Sequence, residues 1–300
     1  MENFQKDMYK EKATRGESLF SVGFYRITDI YSVQILPYHW HEEFEILYMT
    51  KGTAIFHIDD EAFTLNEGQA IFINGGRLHS GITGNGQPCS YDAVVFEPEA
   101  LAGIYDRCME YLNDIKMNKI IIKSFFTGGD SWEQELLSNL KEISVCFSTS
   151  GYGYHLAVKG RLLLMFSMIL ANGAYTVNNK GKAPVTGNIE RLKKVIQYIQ
   201  DHYQSRIMID DLAAQVNMSR HYFCRFFKKF TGNTPVDYIN CYKIDRAAAL
   251  IETTNTSIME AGLESGFDNF SYFIKTFKRF KNCTPSEYRN PAVRKSFNKG

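Results

Sequence analysis

Three hundred residues with 44% apolar content are more than one compact core usually holds, so the chain is expected to fold as two domains. The net charge of +1 hides an asymmetry: residues 1–180 carry 15 Lys+Arg against 22 Asp+Glu (net −7), residues 181–300 carry 19 against 11 (net +8), and the halves sum to +1. Six cysteines without a C-x-x-C pair argue against a disulfide framework and a thiolate zinc site, and fit a reducing compartment.

Residues 1–17 are polar and mixed in charge, which predicts no signal peptide. From about residue 18 to 95, short β-type runs alternate with Gly and Asp turn signals; examples are 45–49, 53–58 and 70–73. Close, regular spacing of this kind predicts an antiparallel sandwich or barrel. The period then changes. Residues 132–147 place Leu136, Leu137, Leu140 and Ile143 on one helical stripe, and 154–171 form a second, more apolar helix expected to pack on the barrel or on a second subunit. The most apolar run, Leu162 to Leu170, is too short to span a bilayer, so a soluble cytoplasmic protein without a membrane partner is expected. Residues 178–187 are polar, aperiodic and bear Gly and Pro, and read as a linker. Beyond it the pattern is helical, over 189–202, 209–215, 219–230, 235–252, 257–265, 269–280 and 285–288. The expected fold class is thus α+β multidomain, with an N-terminal β-barrel and flanking helices over 1–177, a linker over 178–187, an all-α domain over 188–290 and a tail over 291–300.

The all-α part contains one stretch written twice. Tyr222-Phe223-x-Arg225-x-Phe227-Lys228-Lys229-Phe230 returns fifty residues on as Tyr272-Phe273-x-Lys275-x-Phe277-Lys278-Arg279-Phe280. In the first copy Ser219 is placed to cap a helix, and Phe223, Phe226, Phe227 and Phe230 follow the i, i+3, i+4, i+7 spacing of a buried stripe. Arg220, His221, Cys224, Arg225 and Lys228 then face outward. Before it, Ala213 permits close helix crossing and Asn217 tolerates the left-handed turn. In the second copy Ala261-Gly262 supplies the crossing, Gly266 the turn, and Asp268 or Asn269 the cap, with Ser271, Lys275 and Lys278 outward. Phe270 could be core or could touch a thymine methyl. Each copy is a helix-turn-helix whose second helix enters the DNA major groove. Residues 235–252 form a joining helix of about 27 Å, suited to two recognition helices in groove segments about 34 Å apart.

This region closely resembles the DNA-binding domain of the AraC/XylS family of bacterial transcription regulators. The resemblance rests on Gly266-Phe267-Asp268-Asn269-Phe270-Ser271-Tyr272-Phe273-Ile274-Lys275-Thr276-Phe277-Lys278-Arg279 and Thr284-Pro285-Ser286-Glu287-Tyr288-Arg289, with Asn282 where Gly is usual. It implies contacts to DNA bases from His221, Cys224 and Arg225 in the first recognition helix and from Phe270, Ser271 and Lys275 in the second; Arg220 joins the DNA-facing set.

The front domain carries His39-x-His41-x-x-x-Glu45, later joined by His79. On an alternating strand His39 and His41 share a face, as do Glu43 and Glu45. The arrangement resembles the two cupin motifs, with Asn74 standing where Pro is common and Thr83 replacing a common Asn. Three readings of His39, His41, Glu45 and His79 compete: hydrogen bonding within a barrel mouth, an organic effector, and a divalent metal. The combined expectation is a non-enzymatic, ligand-responsive regulator with a cupin-like sensor domain, acting on double-stranded promoter DNA and sensing a small molecule such as a sugar. Expected partners are RNA polymerase and a second copy of the chain, with residues 131–175 dimerising. The alternatives are a metal-dependent cupin enzyme with a helical appendage, and an architectural nucleic-acid protein without a sensor.

Overall fold

The computed structural model describes residues 16, 20–30, 34–84, 87–103, 105–178 and 187–290. Most of the predicted linker (179–186) and the predicted tail (291–300) lie outside them. The chain divides into two compact units, with the boundary between Val185 and Thr186.

The front unit is built on two antiparallel sheets. Its strands are β1 (Val22–Ile30), β2 (Gln34–His39), β3 (Phe44–Lys51), β4 (Thr53–Ile58), β5 (Glu61–Asn66), β6 (Ala70–Ile73), β7 (His79–Thr83), β8 (Cys89–Phe96), β9 (Ile120–Ile122), β10 (Phe125–Phe126) and β11 (Tyr175–Val177). One sheet runs β1-β8-β3-β6-β10, the other β2-β7-β4-β5, and β11 pairs with β9 in a short ribbon. Strand periodicity gives each sheet two faces. On β3, Phe44 and Ile46 point to the helices, while Leu47 and Met49 share the opposite face with Glu45. Across the two sheets, the Phe56 and Tyr91 rings meet edge to face at 5.5 Å. Strand β8 is buried along its whole length, because the second sheet covers one face and the helices cover the other.

The helices that cover it are Ser131–Thr149 and Tyr154–Ala171, bounds close to those predicted. The second is 18 residues long and, with a mean hydropathy of 1.3, long and apolar enough by composition to cross a membrane. The apolar helix is thus longer than the run Leu162 to Leu170 suggested, and a single helix of this kind is also what a packed core contains. Its apolarity has a packing cause: Val158, Leu162, Met165, Phe166 and Ile169 are buried in the core, with Phe166 against Phe44, Phe72 and Phe96. The sequence reading did not anticipate the helix Arg107–Lys116 or strands β9 to β11.

The rear unit is helical: Gly187–His202, Ile209–Gln215, Arg220–Thr231, Pro235–Thr253, Ile258–Glu264, Phe270–Lys281 and Pro285–Arg289. Local chemistry sets the ends. Ser219 and Asn269 accept the backbone N–H of Tyr222 and Tyr272 at the starts of the two repeated helices. Asn217 and Asn282 adopt φ of 52° and 58°, the left-handed turns for which Asn is suited. Phe223, Phe227, Phe273 and Phe277 have no exposed surface, whereas Phe230 and Phe280, predicted in the stripe, are half-buried. Close crossing in the second motif depends on Gly262, where a Cβ would lie 2.9 Å from the Phe273 ring.

Candidate functional site

The histidine cluster forms where the ends of three strands meet. His39 ends β2, Glu45 lies on β3 and His79 begins β7, opposite His39 in register. The alternating strand that would put His39 and His41 on one face does not run between them: β2 stops at His39 and β3 starts at Phe44, so His41 sits in the intervening turn. That turn still aims His41 at the cluster but leaves Glu43 outside it, 3.4 Å from the His41 Nδ1. The turn is held by Gly76 N–H donating to His41 O at 2.7 Å. It packs so closely on Gly75 that a Cβ there would lie 2.2 Å from Glu42 O.

One ligand atom from each of His39, His41, Glu45 and His79 can be chosen so that all four lie within 4.8 Å of one another. The imidazoles are oriented by the same device three times. His39 Nδ1 lies 2.9 Å from Pro37 O, His41 Nδ1 3.2 Å from Glu43 O, and His79 Nδ1 2.8 Å from Arg77 O. A carbonyl oxygen can only accept, so each Nδ1 is assigned the proton and each Nε2 keeps its lone pair. Holding one ring nitrogen this way is how proteins present the other to a metal.

Electrostatics bear on two of these four groups. Burial, then the neighbouring His79 and His41, push the His39 imidazole well below its usual range, so it stays neutral. Burial alone would raise the Glu45 carboxyl, but its contacts with His41 and His79 hold it well below the usual range, so it stays ionised. Glu45 Oε2 lies 2.8 Å from His79 Nε2 and 3.4 Å from His41 Nε2. Both atoms of the 2.8 Å pair are buried from water. Three imidazole nitrogens and a carboxylate oxygen therefore converge on one point, a donor set that suits a divalent transition metal. A cation at their centre satisfies all four.

Below this cage, several described side chains are closely packed. Leu47, Met49, Phe56, Leu65 and Tyr91 have no exposed surface, so they border no space that would admit a water molecule. A Cβ on Gly81 would lie 2.7 Å from the Phe56 ring. The cage meets solvent chiefly at His39, which is 9% exposed.

In the rear unit the two basic helices present His221, Arg225, Ser271 and Lys275 to solvent, with Cys224 half-buried. Phe270, ambiguous in the sequence, is 44% exposed. Arg220 is exposed too, but its guanidinium pairs with Asp210 at 2.9 Å. A surface pair of this kind contributes about 0–1 kcal/mol and would yield to a phosphate. Sequence reasoning missed Lys243. Its buried ammonium donates to Gly266 O at 2.7 Å and Ser205 O at 3.3 Å, tying the second turn to the joining helix. A Lys in the apolar stripe of a helix is the signal that could have found it.

Residues 212–291 match the family model described as a helix-turn-helix domain, and residues 21–113 match that of an AraC-like ligand binding domain. An uncharacterized HTH-type transcriptional regulator of Bacillus subtilis, YdeC, is 26% identical over 96% of this chain and 99% of its own length. The melibiose operon regulatory protein of Escherichia coli is 24% identical over 93% of this chain and 92% of its own. Among solved structures, a transcriptional regulator from Chromobacterium violaceum with an AraC-type DNA-binding domain is 30% identical, covering 36% of this chain and 95% of that one, with a TM-score of 0.33.

Proposed function

Because this chain belongs to the AraC family of transcription regulators, with a ligand-binding and a DNA-binding domain, we propose that a divalent transition metal held at its cage controls binding to promoter DNA. The observation that carries this reading is the convergence of His39, His41, His79 and Glu45, whose ligand atoms lie within 4.8 Å of one another while a backbone carbonyl holds the Nδ1 of each imidazole. Neutral imidazoles with one carboxylate suit Mn, Fe, Ni or Zn. His39, His41, Glu45 and His79 would hold the ion. What it would supply is positive charge that draws the ends of β2, β3 and β7 together.

The similarity to the melibiose operon regulatory protein favours a second reading, a sugar effector. The burial of Leu47, Met49, Phe56, Leu65 and Tyr91 weighs against it, since a sugar among them would have to displace packed side chains. We read the cage as a sensor rather than a catalytic centre because it is fused to a DNA reader. Transcription control places the protein in the cytoplasm, in contact with RNA polymerase. A homodimer would form through the hairpin of Ser131–Thr149 and Tyr154–Ala171, on which Val145, Leu156 and Leu164 are exposed.

Two measurements test this reading. Elemental analysis of the full chain purified from its host should find about one metal ion per chain, and chelation should change affinity for DNA selected from a random pool. Stoichiometric metal with substrate turnover would favour a cupin enzyme instead; absence of metal, with DNA binding that answers a sugar panel, would favour the second reading. For the reader helices, Arg225→Ala and Lys275→Ala should each weaken binding to selected DNA by about 1–3 kcal/mol if each contacts a base. Equal losses on random DNA would reassign them to phosphates. The copies differ at His221 and Arg225 against Ser271 and Lys275, so each variant should lose footprint over a different half-site.

A further inference from the structure

Asn74 stands where the cupin pattern usually has Pro, and its side chain is fully engaged. Its Oδ1 accepts from Gly75 N–H at 2.9 Å, and its Nδ2 donates to Ile115 O at 2.9 Å and to Asn118 Oδ1 at 2.7 Å. Asn74 opens the loop that leads to His79 and that grips His41 O through Gly76. Asn118 turns the chain, at φ 54°, from the helix Arg107–Lys116 into β9. On its far side Asn118 O accepts from Asn178 Nδ2 at 3.0 Å, and Lys119 O accepts from Asn178 N–H at 2.7 Å. Asn178 follows β11 directly and is the last described residue of the front unit before the DNA-binding unit. Three asparagines thus join the cage to the point where the chain leaves the sensor.

We propose that these residues are a signal relay: occupancy of the cage is transmitted through Asn74, Asn118 and Asn178 to the β9–β11 ribbon, and so to the root of the linker. The source of the signal rests on the metal reading above; the path does not. Transmission needs little slack at one end and a two-state element at the other. The backbone contact between Gly75 and Glu42 leaves little slack where His41 and the loop meet. The ribbon supplies the two states. It has three residue pairs, Tyr175↔Ile122, Thr176↔Ile121 and Val177↔Ile120, and Thr176 and Val177 are exposed. Ile122 anchors β9 in the core, but so short a pairing, exposed along β11, opens cheaply on the β11 side and is easily biased. When the ion draws His41 and His79 together, the 74–79 loop is fixed between them. Asn74 then holds the 118 turn, and the paired ribbon is favoured.

The test is amide hydrogen exchange of the full chain with and without Ni2+ alone, on the wild type, Glu45→Gln, Asn118→Gly and Asn178→Ala. Asn118→Gly removes one side-chain link while glycine keeps the left-handed turn; should that variant misfold, Asn178→Ala removes the side-chain link at the other end and leaves only the backbone bond to Lys119 O. In the wild type, Ni2+ should slow exchange across residues 120–122 and 175–178 on the order of tenfold. Either relay variant should bind Ni2+ as tightly as the wild type but reduce that change below about twofold. Full transmission in both variants overturns the relay, as does Ni2+ binding to the wild type without change at the ribbon. If Ni2+ does not bind at all, Glu45→Gln is the perturbation. A ribbon shift in that variant that disappears when Asn118→Gly is added upholds the relay and discards the metal; no shift overturns the relay.

Discussion

Glu45→Gln should leave the chain folded and lower its affinity for Ni2+ or Zn2+ by more than about 100-fold, the upper end of what loss of an outer-shell partner costs at a metal site. Glu45 is the one anion among the four cage residues and is 4% exposed. Its amide replacement fills the same volume but cannot offset a divalent charge among three neutral imidazoles in a medium of low dielectric. Competition titration with a coloured chelator checks this; a loss of less than about tenfold would place the ion elsewhere. The pH dependence of the chelated protein follows from the same geometry. His39 has a folded-state pKa below its unfolded value, so the unfolded chain binds the extra proton. Stability of the front unit therefore falls as pH drops below about 6.5, by up to about 1.4 kcal/mol per pH unit for one such proton. The depressed Glu45 carboxyl acts lower down. Its contribution is present above the unfolded carboxylate range and is lost as pH falls through its lower folded value. Glu45→Gln removes that second loss and keeps the first. Urea unfolding at a series of pH values separates them.

Gly266→Val should destabilise the rear unit by more than about 3 kcal/mol, combining left-handed strain on a β-branched residue with steric overlap. Gly266 has φ 82°, and a Cβ there would lie 2.3 Å from Tyr203 O and 2.9 Å from the Gln204 Cα. Both neighbours are backbone, so neither can rotate away. The same turn carries the carbonyl that accepts from Lys243, so displacing it also strands a buried ammonium. Thermal unfolding followed by helical circular dichroism should show the loss, and footprinting should lose the half-site read by Phe270–Lys281 before that read by Arg220–Thr231. Asn282→Gly is the control. Its φ of 58° is one that glycine adopts without strain, so unfolding should shift by less than about 1 kcal/mol. A wild-type-like Gly266→Val would show that the second turn tolerates rearrangement.

The two motifs were legible in the sequence because what specifies them is local. A stripe at i, i+3, i+4 and i+7, a Ser or Asn one residue before the helix that carries it, and an Asn or Gly at the turn all act within one or two helical turns. Phe223, Phe227, Phe273 and Phe277 are buried as their spacing predicts, and Ser219 and Asn269 cap as their positions predict. Long-range polar contacts were not legible. Lys243 reaches Gly266 across 23 residues and Arg220 is held by Asp210, and neither spacing is a helical one.

The front unit divides along the same line. Sequence by itself determined that short strands alternate with turns, that two helices follow, and that three histidines and a glutamate occupy recognisable positions. Only the tertiary structure decided that β2 ends at His39, that β2 and β7 pair so that His39 faces His79, and that three separate carbonyls hold the Nδ1 edges of three imidazoles gathered about one carboxylate. It also decided what Asn74 does. In the sequence Asn74 is a departure from a pattern; in the fold its amide meets a turn 44 residues away. The physical reason is common to these cases. Helical periodicity is written in neighbours a few residues apart, whereas strand register, ring tautomers and side-chain relays are set by partners that only folding brings together.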